Sequence, residues 1–476
     1  MNLADPIQKS QRLRLRPAER RLLLLVGDFS MAWLALVLAL VLWAINSREW
    51  LGFTPEFFQA RVQPWFYLLP FAWLLLLADL YDVPRASHPK PTVRGVASAA
   101  AIGLGSYLFV YFASPPNSLP RTAVAYFLIA VALFTLAWRL AYIRIFTHST
   151  FLQRVLLVGA GKAGSTLLEV LARVEANPFE VIGVVDDDPQ KLGQSIAGYP
   201  VLGGAEELPA IINREQVTDL IVAISGSMQG SLFQALLDAQ QSGVEITTMQ
   251  NVYEELLDRV PIFHLEADWM LRSFVEQSRV GAFYLTTKRL IDLSGGLIGT
   301  LLLAIILPGV TLANLIETGW PIFYLQTRSG KNDQPYRVIK FRTMRQDAEK
   351  DGVPQWTKEN DDRVTRVGRL LRKTHLDELP QFLNVLRGDM SLVGPRPERP
   401  ELIALFQQHV PFYRARLLVK PGLSGWAQIH QNYAANVEET NLKLEYDLFY
   451  IKHRSLWFDL GILLRTPATM LGFRGR

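Results

Sequence analysis

The chain has 476 residues, 50% of them hydrophobic and 20% charged, with a mean hydropathy of +0.15; that length suits about three domains, and the hydropathy makes a membrane protein the first expectation. The absence of cysteine excludes disulfides, thiolate metal sites and cysteine nucleophiles. A net charge of +5 and a pI near 9.2 suit an anionic lipid surface or phosphorylated substrates, while the lack of interleaved aromatic and basic residues sets nucleic acid aside.

Residues 9 to 21 carry Lys9, Arg12, Arg14, Arg16, Arg20 and Arg21 against Glu19 alone. The apolar run from Leu22 to Ile45 is too long for a signal-peptide core and lacks a small-residue cleavage pattern, so it reads as an anchoring transmembrane helix. Further runs near Trp65 to Leu80, Gly95 to Ala113 and Thr122 to Phe146 each approach the ~20 residues a crossing needs. Four spans are expected within 1–150. Arg85, Lys90 and Arg94 face only Asp82 in one loop, and Arg139, Arg144 and Arg154 flank the last exit. The cation excess of cytoplasmic loops therefore puts both ends inside. Asp28 and Asp79 sit within or at the edge of spans; Asp28 lies only one or two turns in, reads as interfacial, and argues against a transporter.

Val155 to Val158 is a short apolar run, followed by Gly159-Ala160-Gly161-Lys162-Ala163-Gly164, a helical pattern through Val174, and a second run, Val181 to Val185, ending in Asp186. Strand, glycine turn, helix, strand and acid form the dinucleotide-binding order, in which glycines allow close approach of a pyrophosphate. Asp219 to Ile224 and Gly243 to Thr247 continue the alternation. A Rossmann-like domain is expected over 151–280, with Gly159, Gly161, Gly164 and Asp186 as candidate nucleotide contacts. NAD or another nucleotide, regulation and dimerisation all stay open for it, since a fold hosts many functions.

Tyr284-x-x-x-Lys288 matches the Tyr and Lys spacing of nucleotide-sugar dehydratases, but so does Tyr336-x-x-x-Lys340, and Lys288 leads straight into another apolar run, Leu293 to Ile316. That run spans ~36 Å if helical, enough to cross. A crossing would export everything after it, yet Lys288 and Arg289 precede it and Arg328, Lys331, Arg337, Lys340, Arg342 and Arg345 follow. With cations on both flanks and Pro308 in the middle, a broken, re-entrant helix over about 289–317 is expected, entering the inner leaflet and returning. A buried core helix is the alternative.

The densest chemistry lies between Lys340 and Pro397, centred on Asp377 and Glu378. Lys340, Arg342, Arg363, Arg366, Arg369, Arg372, Lys373, Arg387 and Arg396 exceed what two acids need, which implies an anionic ligand. Thr374 and Asp377 also fit a capping box at a helix start, a purely structural role. At such a start Asp377 would stay ionised, able to attack phosphorus, and phosphates would meet free amides. Glu378 suits Mg²⁺, and arginine forks suit phosphate oxygens. Arg345 to Val364 reads as a mobile loop near the site, the Lys420 to Gly425 turn as a wall of a sugar or nucleotide pocket, and the tail from Trp457 to Leu471 as an amphipathic interfacial or core helix.

Five ordered blocks over roughly the last 190 residues carry a resemblance: Lys288-Arg289-Leu290-Ile291-Asp292, Lys340-Phe341-Arg342-Thr343-Met344, Leu371 to Gln381, Met390 to Pro397 and Lys420 to Trp426. Together they resemble bacterial polyprenyl-phosphate hexose-1-phosphate transferases, membrane enzymes that start exopolysaccharide or O-antigen repeat units. The resemblance implies a four-helix membrane region, a Rossmann-like middle domain and a mainly α catalytic domain over 281–476. It implies Asp377 as nucleophile, Glu378 as Mg²⁺ ligand, and Lys340, Arg342, Arg372 and Arg396 near phosphates. It further implies UDP-glucose or UDP-galactose as donor, undecaprenyl phosphate as acceptor, and a bacterial inner-membrane location. His375 and Leu307 depart from the family's usual Ser at those positions. A homodimer through the middle domain, a membrane-anchored NAD-dependent dehydratase or epimerase, and a non-catalytic scaffold are the other readings the sequence leaves open.

Overall fold

The computed structural model describes residues 17–46, 53–81, 86, 88–115, 120–146, 153–174, 179–224, 226, 228, 230–265, 270, 273, 281–345, 362–431 and 437–470. Two compact units divide the chain, 1–252 and 253–476.

The first unit begins with α1 (Pro17–Asn46), opened by a proline and an acid in its first turn. Helix α2 (Pro55–Arg61) is capped by Thr54. The second expected span is helical in pieces: a 3₁₀ turn at Pro64–Leu68, α3 (Leu69–Leu76) and a 3₁₀ turn at Ala78–Tyr81. Its apolar run Pro64–Leu76 reaches roughly 20 Å, short of a ~30 Å hydrocarbon core, because Pro64 and Pro70 each restart the helix. Helices α4 (Pro89–Ala113) and α5 (Arg121–Phe146) are, like α1, long and apolar enough to cross a membrane. Ala32, Ala35 and Ala39 line the buried side of α1 against Ala123, Phe127, Ala130 and Val131 of α5, small residues at helical spacing that let two backbones approach.

Asp28 is fully buried against Arg139 of α5, with Nη2 2.7 Å from Oδ2, while Nη1 donates to Leu80 O at 2.9 Å. Arg139 thus serves as an internal counter-charge and does not flank a span, because a lone carboxylate inside apolar helices needs one. The Asp79 side chain and residues 9 to 16 lie outside the described residues.

Strands β1 (Gln153–Val158), β2 (Phe179–Val185), β3 (Ser195–Ile196), β4 (Tyr199–Gly203), β5 (Asp219–Val222) and β6 (Glu245–Thr248) form one six-stranded sheet in the order β3-β4-β2-β1-β5-β6. All its pairings are parallel except the β3–β4 edge hairpin. Helices α6 (Lys162–Arg173), α7 (Leu208–Arg214) and α8 (Gly230–Gln241) connect the strands. The chain winds outward in both directions from β1, which puts the glycine turn at the sheet's switch point.

Helix α9 (Met249–Leu257) runs across the division. The second unit starts at Tyr253, with Val260 and Ile262 in its core and Trp426 Nε1 donating to Asp258 O. Helix α10 (Ala282–Glu317) does not break at Pro308; it is one helix with that proline inside it. Asp292, Gly296, Gly299, Leu303 and Asn314 are its buried stripe, whereas Leu297, Ile298, Leu301, Ile305 and Ile316 stand out on other faces, Ile316 with 80% exposure. The remaining elements are β7 (Phe323–Ser329), β8 (Pro335–Phe341), α11 (Arg366–Lys373), α12 (Gln381–Arg387), β9 (Ser391–Val393), α13 (Pro400–Phe406), β10 (Gly422–Ser424), α14 (Trp426–His430), α15 (Val437–His453) and α16 (Leu456–Met470). Residues 346–361 of the expected loop lie outside the described residues. Helix α16 is amphipathic: Asp459 and Ile462 are buried, while Trp457, Leu460 and Leu464 face outward.

Replacing Arg139 by Ala leaves the Asp28 carboxylate buried without a partner. That should cost about 3–5 kcal/mol, read as a fall in melting temperature of the detergent-purified protein, and the double replacement of both residues by Leu should recover most of the loss.

Candidate active site

The site is assembled from three segments that are distant in sequence. Strand β8 pairs antiparallel with β7, setting Lys340 opposite Tyr324. Asn384 of α12 holds β8 in place: its Oδ1 accepts from Ile339 N at 3.1 Å and its Nδ2 donates to Arg337 O at 2.8 Å. Sequence reading passed over Asn384. An asparagine at the centre of an otherwise apolar helical run, Phe382-Leu383-Asn384-Val385-Leu386, is the available signal.

Asp377 and Glu378 lie in a 3₁₀ turn, Leu376–Glu378, immediately before α12. The capping-box reading fails. Thr374 Oγ1 donates backwards to Leu370 O at 2.8 Å and so closes α11, and His375 then turns the chain through a left-handed conformation, φ 55°. Glu378 is only 8% exposed, and its Oε1 accepts from Lys340 Nζ at 2.8 Å and Arg396 Nη2 at 2.7 Å. Burial works against its charge, but those two cations prevail and hold the carboxyl far below the usual range. Asp377 is different. Among the described residues it has no hydrogen-bond or ion-pair partner, and burial together with the neighbouring Glu378 pushes its pKa up, against the pull of Lys340, Arg372 and Arg396. The ionised aspartate expected at a helix start therefore sits in a setting that disfavours its charge.

Of the expected phosphate contacts, Lys340, Arg372 and Arg396 surround the acid pair, and Arg372 Nε is steadied by Thr343 Oγ1 at 2.9 Å. Arg342 makes no hydrogen bond to either acid, and its Nε is buried without a partner. Arg366, Arg369, Lys373 and Arg387 are exposed. The Arg396 loop is pinned where β9 and β10 run parallel: a Cβ on Gly394 would collide with Lys420 O, and one on Gly422 with Gly394 N.

Helix α10 supports the site along its length. Arg289 donates to Val385 O and Leu386 O at 2.8 and 2.7 Å, and Asp292 Oδ1 accepts from Leu392 N at 2.8 Å. Leu303, Leu307 and Val310 pack on Phe341 and Leu371. At its far end Asn314 Nδ2 donates to Arg342 O at 3.2 Å, and Glu317 accepts from Arg366 N and Val367 N at 2.6 and 2.7 Å. Tyr284 and Lys288 both converge on Asp459 at 2.9 Å, so the dehydratase-like pair is spent on a structural tie.

In the middle domain Gly159 has φ +110°, and Gly164 packs against Gly159 O too closely for a side chain. Asp186 Oδ2 accepts from Ala160 N at 2.7 Å and pairs with Lys191 Nζ at 3.0 Å. Asp186, expected among the nucleotide contacts, is engaged by the glycine turn itself.

A carboxylate without a partner among the described residues, a charge-locked one beside it and three convergent cations make a site suited to an anionic ligand, carried on a helix with an apolar outer face. Residues 283–472 match the family described as bacterial sugar transferase, and residues 77–249 match a CoA-binding domain. The chain is 40% identical over 49% of its length to a UDP-N-acetylgalactosamine-undecaprenyl-phosphate N-acetylgalactosaminephosphotransferase of Aeromonas hydrophila, covering 54% of that protein. It is 42% identical over 39% of its length to a UDP-glucose:undecaprenyl-phosphate glucose-1-phosphate transferase of Caulobacter vibrioides, covering 69% of it. With the Escherichia coli protein of the same name it shares 31% identity over 67% of this chain and 68% of that one. The chain belongs to the bacterial sugar transferase family, and by that membership it is a transferase.

Asn384→Ala would strip one buried donor and one buried acceptor of β8 of their partners. At ~1–3 kcal/mol for each group, a clear drop in melting temperature and loosened placement of Lys340 are expected, measurable by thermal unfolding and by hydrogen exchange at Ile339.

Proposed function

We propose that the protein transfers hexose-1-phosphate from a UDP-hexose to polyprenyl phosphate, giving polyprenyl-diphospho-hexose and UMP. The observation that carries this reading is the contrast within the acid pair: Glu378 is bound by Lys340 and Arg396, and Asp377 is left unpartnered beside them. An Asp377 oxygen attacks the β-phosphorus of the donor, the bond from that phosphorus to the bridging oxygen breaks, and UMP leaves with the electron pair. A phosphate oxygen of the lipid then attacks the same phosphorus, the bond to Asp377 breaks, and the carboxylate is restored. One diphosphate linkage replaces another, so the exchange is close to isoenergetic.

Lys340, Arg372 and Arg396 are placed to offset charge on the transferring phosphoryl oxygens. Glu378 is the residue proposed to hold Mg²⁺; no cluster of three or more His, Asp or Glu occurs among the described residues, so substrate phosphates would complete the coordination. A cation held by one or two carboxylates and by substrate phosphates fits such a site. When bound, it supplies positive charge to the diphosphate.

The acceptor is proposed to be undecaprenyl phosphate, and the donor UDP-glucose or UDP-galactose; the names of the relatives also keep UDP-N-acetylgalactosamine in play. The catalytic unit is assigned to the cytoplasmic face of the inner membrane. Contacts to one folded unit from Arg289 to Glu317, roughly 42 Å of helix, support an α10 that lies in one leaflet without crossing, its outward leucines and isoleucines in lipid. For the middle domain, a Rossmann-like scaffold role is favoured over NAD binding, because Asp186 already satisfies the glycine turn.

Incubation with donor and Mg²⁺ but no lipid should give one equivalent of UMP and a hexose-phosphate mass increase on the Asp377 peptide, with ping-pong kinetics once lipid is added. Asp377→Asn should abolish both half-reactions, and Glu378→Gln should chiefly impair metal-dependent turnover. Substantial turnover by Asp377→Asn would replace the covalent route with direct attack by the lipid.

The pH profile offers a separate check. The nucleophile must be ionised and its pKa is raised, so UMP release should fall off on the acid side at a higher pH than an ordinary aspartate near 3.9 would give. Lys340→Met removes a charge that holds this pKa down, and should shift the acid limb of any residual activity further up.

A further inference from the structure

Behind Arg396 lies a buried charge cluster that the transfer chemistry does not use. Its members are Arg328 on β7, Glu398, Arg416 in the 3₁₀ turn Tyr413–Leu418, and Lys443 and Asp447 on α15. Arg416 is 3% exposed. Its Nη2 donates both to Asp447 Oδ2 at 2.8 Å and to Arg396 O at 2.9 Å, and its Nη1 donates to Tyr413 Oη at 2.7 Å. Arg328 Nη1 donates to Pro397 O at 3.1 Å and lies 3.5 Å from Glu398 Oε2, while Lys443 Nζ pairs with Glu398 Oε1.

The consequence for the loop is unusual. Four consecutive carbonyl oxygens are taken by donors from outside the loop: Pro395 O by Gly422 N at 2.9 Å, Arg396 O by Arg416, Pro397 O by Arg328, and Glu398 O by Ser329 N at 3.0 Å. Prolines on both sides of Arg396 have no N–H to donate and restrict its backbone further. Buried ion pairs give little net stability, and apolar residues of equal volume often replace them without loss. They offer what apolar residues do not: a planar guanidinium that a carboxylate holds in one orientation while it also donates to a backbone carbonyl.

We propose that Arg416 and Arg328, held by Asp447 and by Glu398 with Lys443, are positioning residues for the sugar-phosphate transfer, clamping the 395–398 backbone so that the Arg396 guanidinium stands at Glu378 and the donor phosphates. This rests on the phosphate role proposed for Arg396. Arg416→Lys keeps a charge for Asp447 but lacks the second nitrogen that binds Tyr413 Oη and fixes the guanidinium plane in which Nη2 reaches Asp447 and Arg396 O together. The clamp therefore separates from mere folding of the core.

The test is a double-mutant cycle in the purified full-length protein, reading UMP release from UDP-hexose. Arg416→Lys should lower the rate about tenfold, as loss of one charge-assisted hydrogen bond allows, while the same change on an Arg396→Ala background should cost less than about twofold. Asp447→Asn should behave like Arg416→Lys. Hydrogen exchange at the Ser329 and Gly422 amides, which donate to Glu398 O and Pro395 O, should quicken in Arg416→Lys, with the overall melting temperature little changed. Losses that multiply across the cycle, or unchanged exchange at those amides, would overturn the clamp. An Arg396→Ala variant with full activity would instead sink the phosphate role of Arg396, and the exchange measurement would still decide whether Arg416 holds the loop.

Discussion

The Glu378 carboxylate is the point on which the catalytic unit depends. A single oxygen of it receives a lysine from β8 and an arginine from the loop after β9, and its own turn leads into α12. Three stretches of chain meet there, and no two of them are neighbours in sequence. The two cations lock Glu378 in its charged form and, by the same act, leave the adjacent Asp377 as the acid without a partner. Adjacent carboxylates in unlike settings are a general way for one fold to assign two tasks to one residue type.

Around that point, polar bonds to backbone decide more than apolar packing does. Asn384 fixes β8, Asp292 fixes the start of β9, Glu317 fixes the start of α11, and Arg416 with Arg328 fixes the loop carrying Arg396. Each is a side chain whose polar atoms meet main-chain groups of another element, which sets register and spacing in a way that interchangeable leucines do not. Helix α10 combines this with an apolar exterior: one stripe binds the catalytic unit from Arg289 to Glu317, and the outward faces carry leucine and isoleucine.

Much of the catalytic unit was legible because its residues sit in short ordered blocks. Lys340, Arg372, Asp377, Glu378 and Arg396 all fall in them, and the structure brings them together. What misled was local pattern taken alone. Thr374 and Asp377 have capping-box spacing, yet Thr374 ends one helix, since His375 takes a left-handed turn before the next begins. Pro308 promised a break, but the chain carries the helix through it, with both ends held by the same folded unit. Asp28 pairs with Arg139, 111 residues away and inside a helix, whereas by sequence position Arg139 reads as a charge flanking a span.

The sequence by itself determined the apolar helices, the alternation that builds the parallel sheet, and the residues of the catalytic blocks, because helical and strand periodicity and motif spacing are local properties of a chain. Only the tertiary structure decided which cations share Glu378, that Asp377 is left without a partner, that Asp186 is consumed by its own glycine turn, and that residues from 253 onward belong to the catalytic unit. Those outcomes depend on which groups meet across long separations and on how much water remains between them. Charge at close range inside a low-dielectric setting is set by that geometry and by nothing visible in residue order.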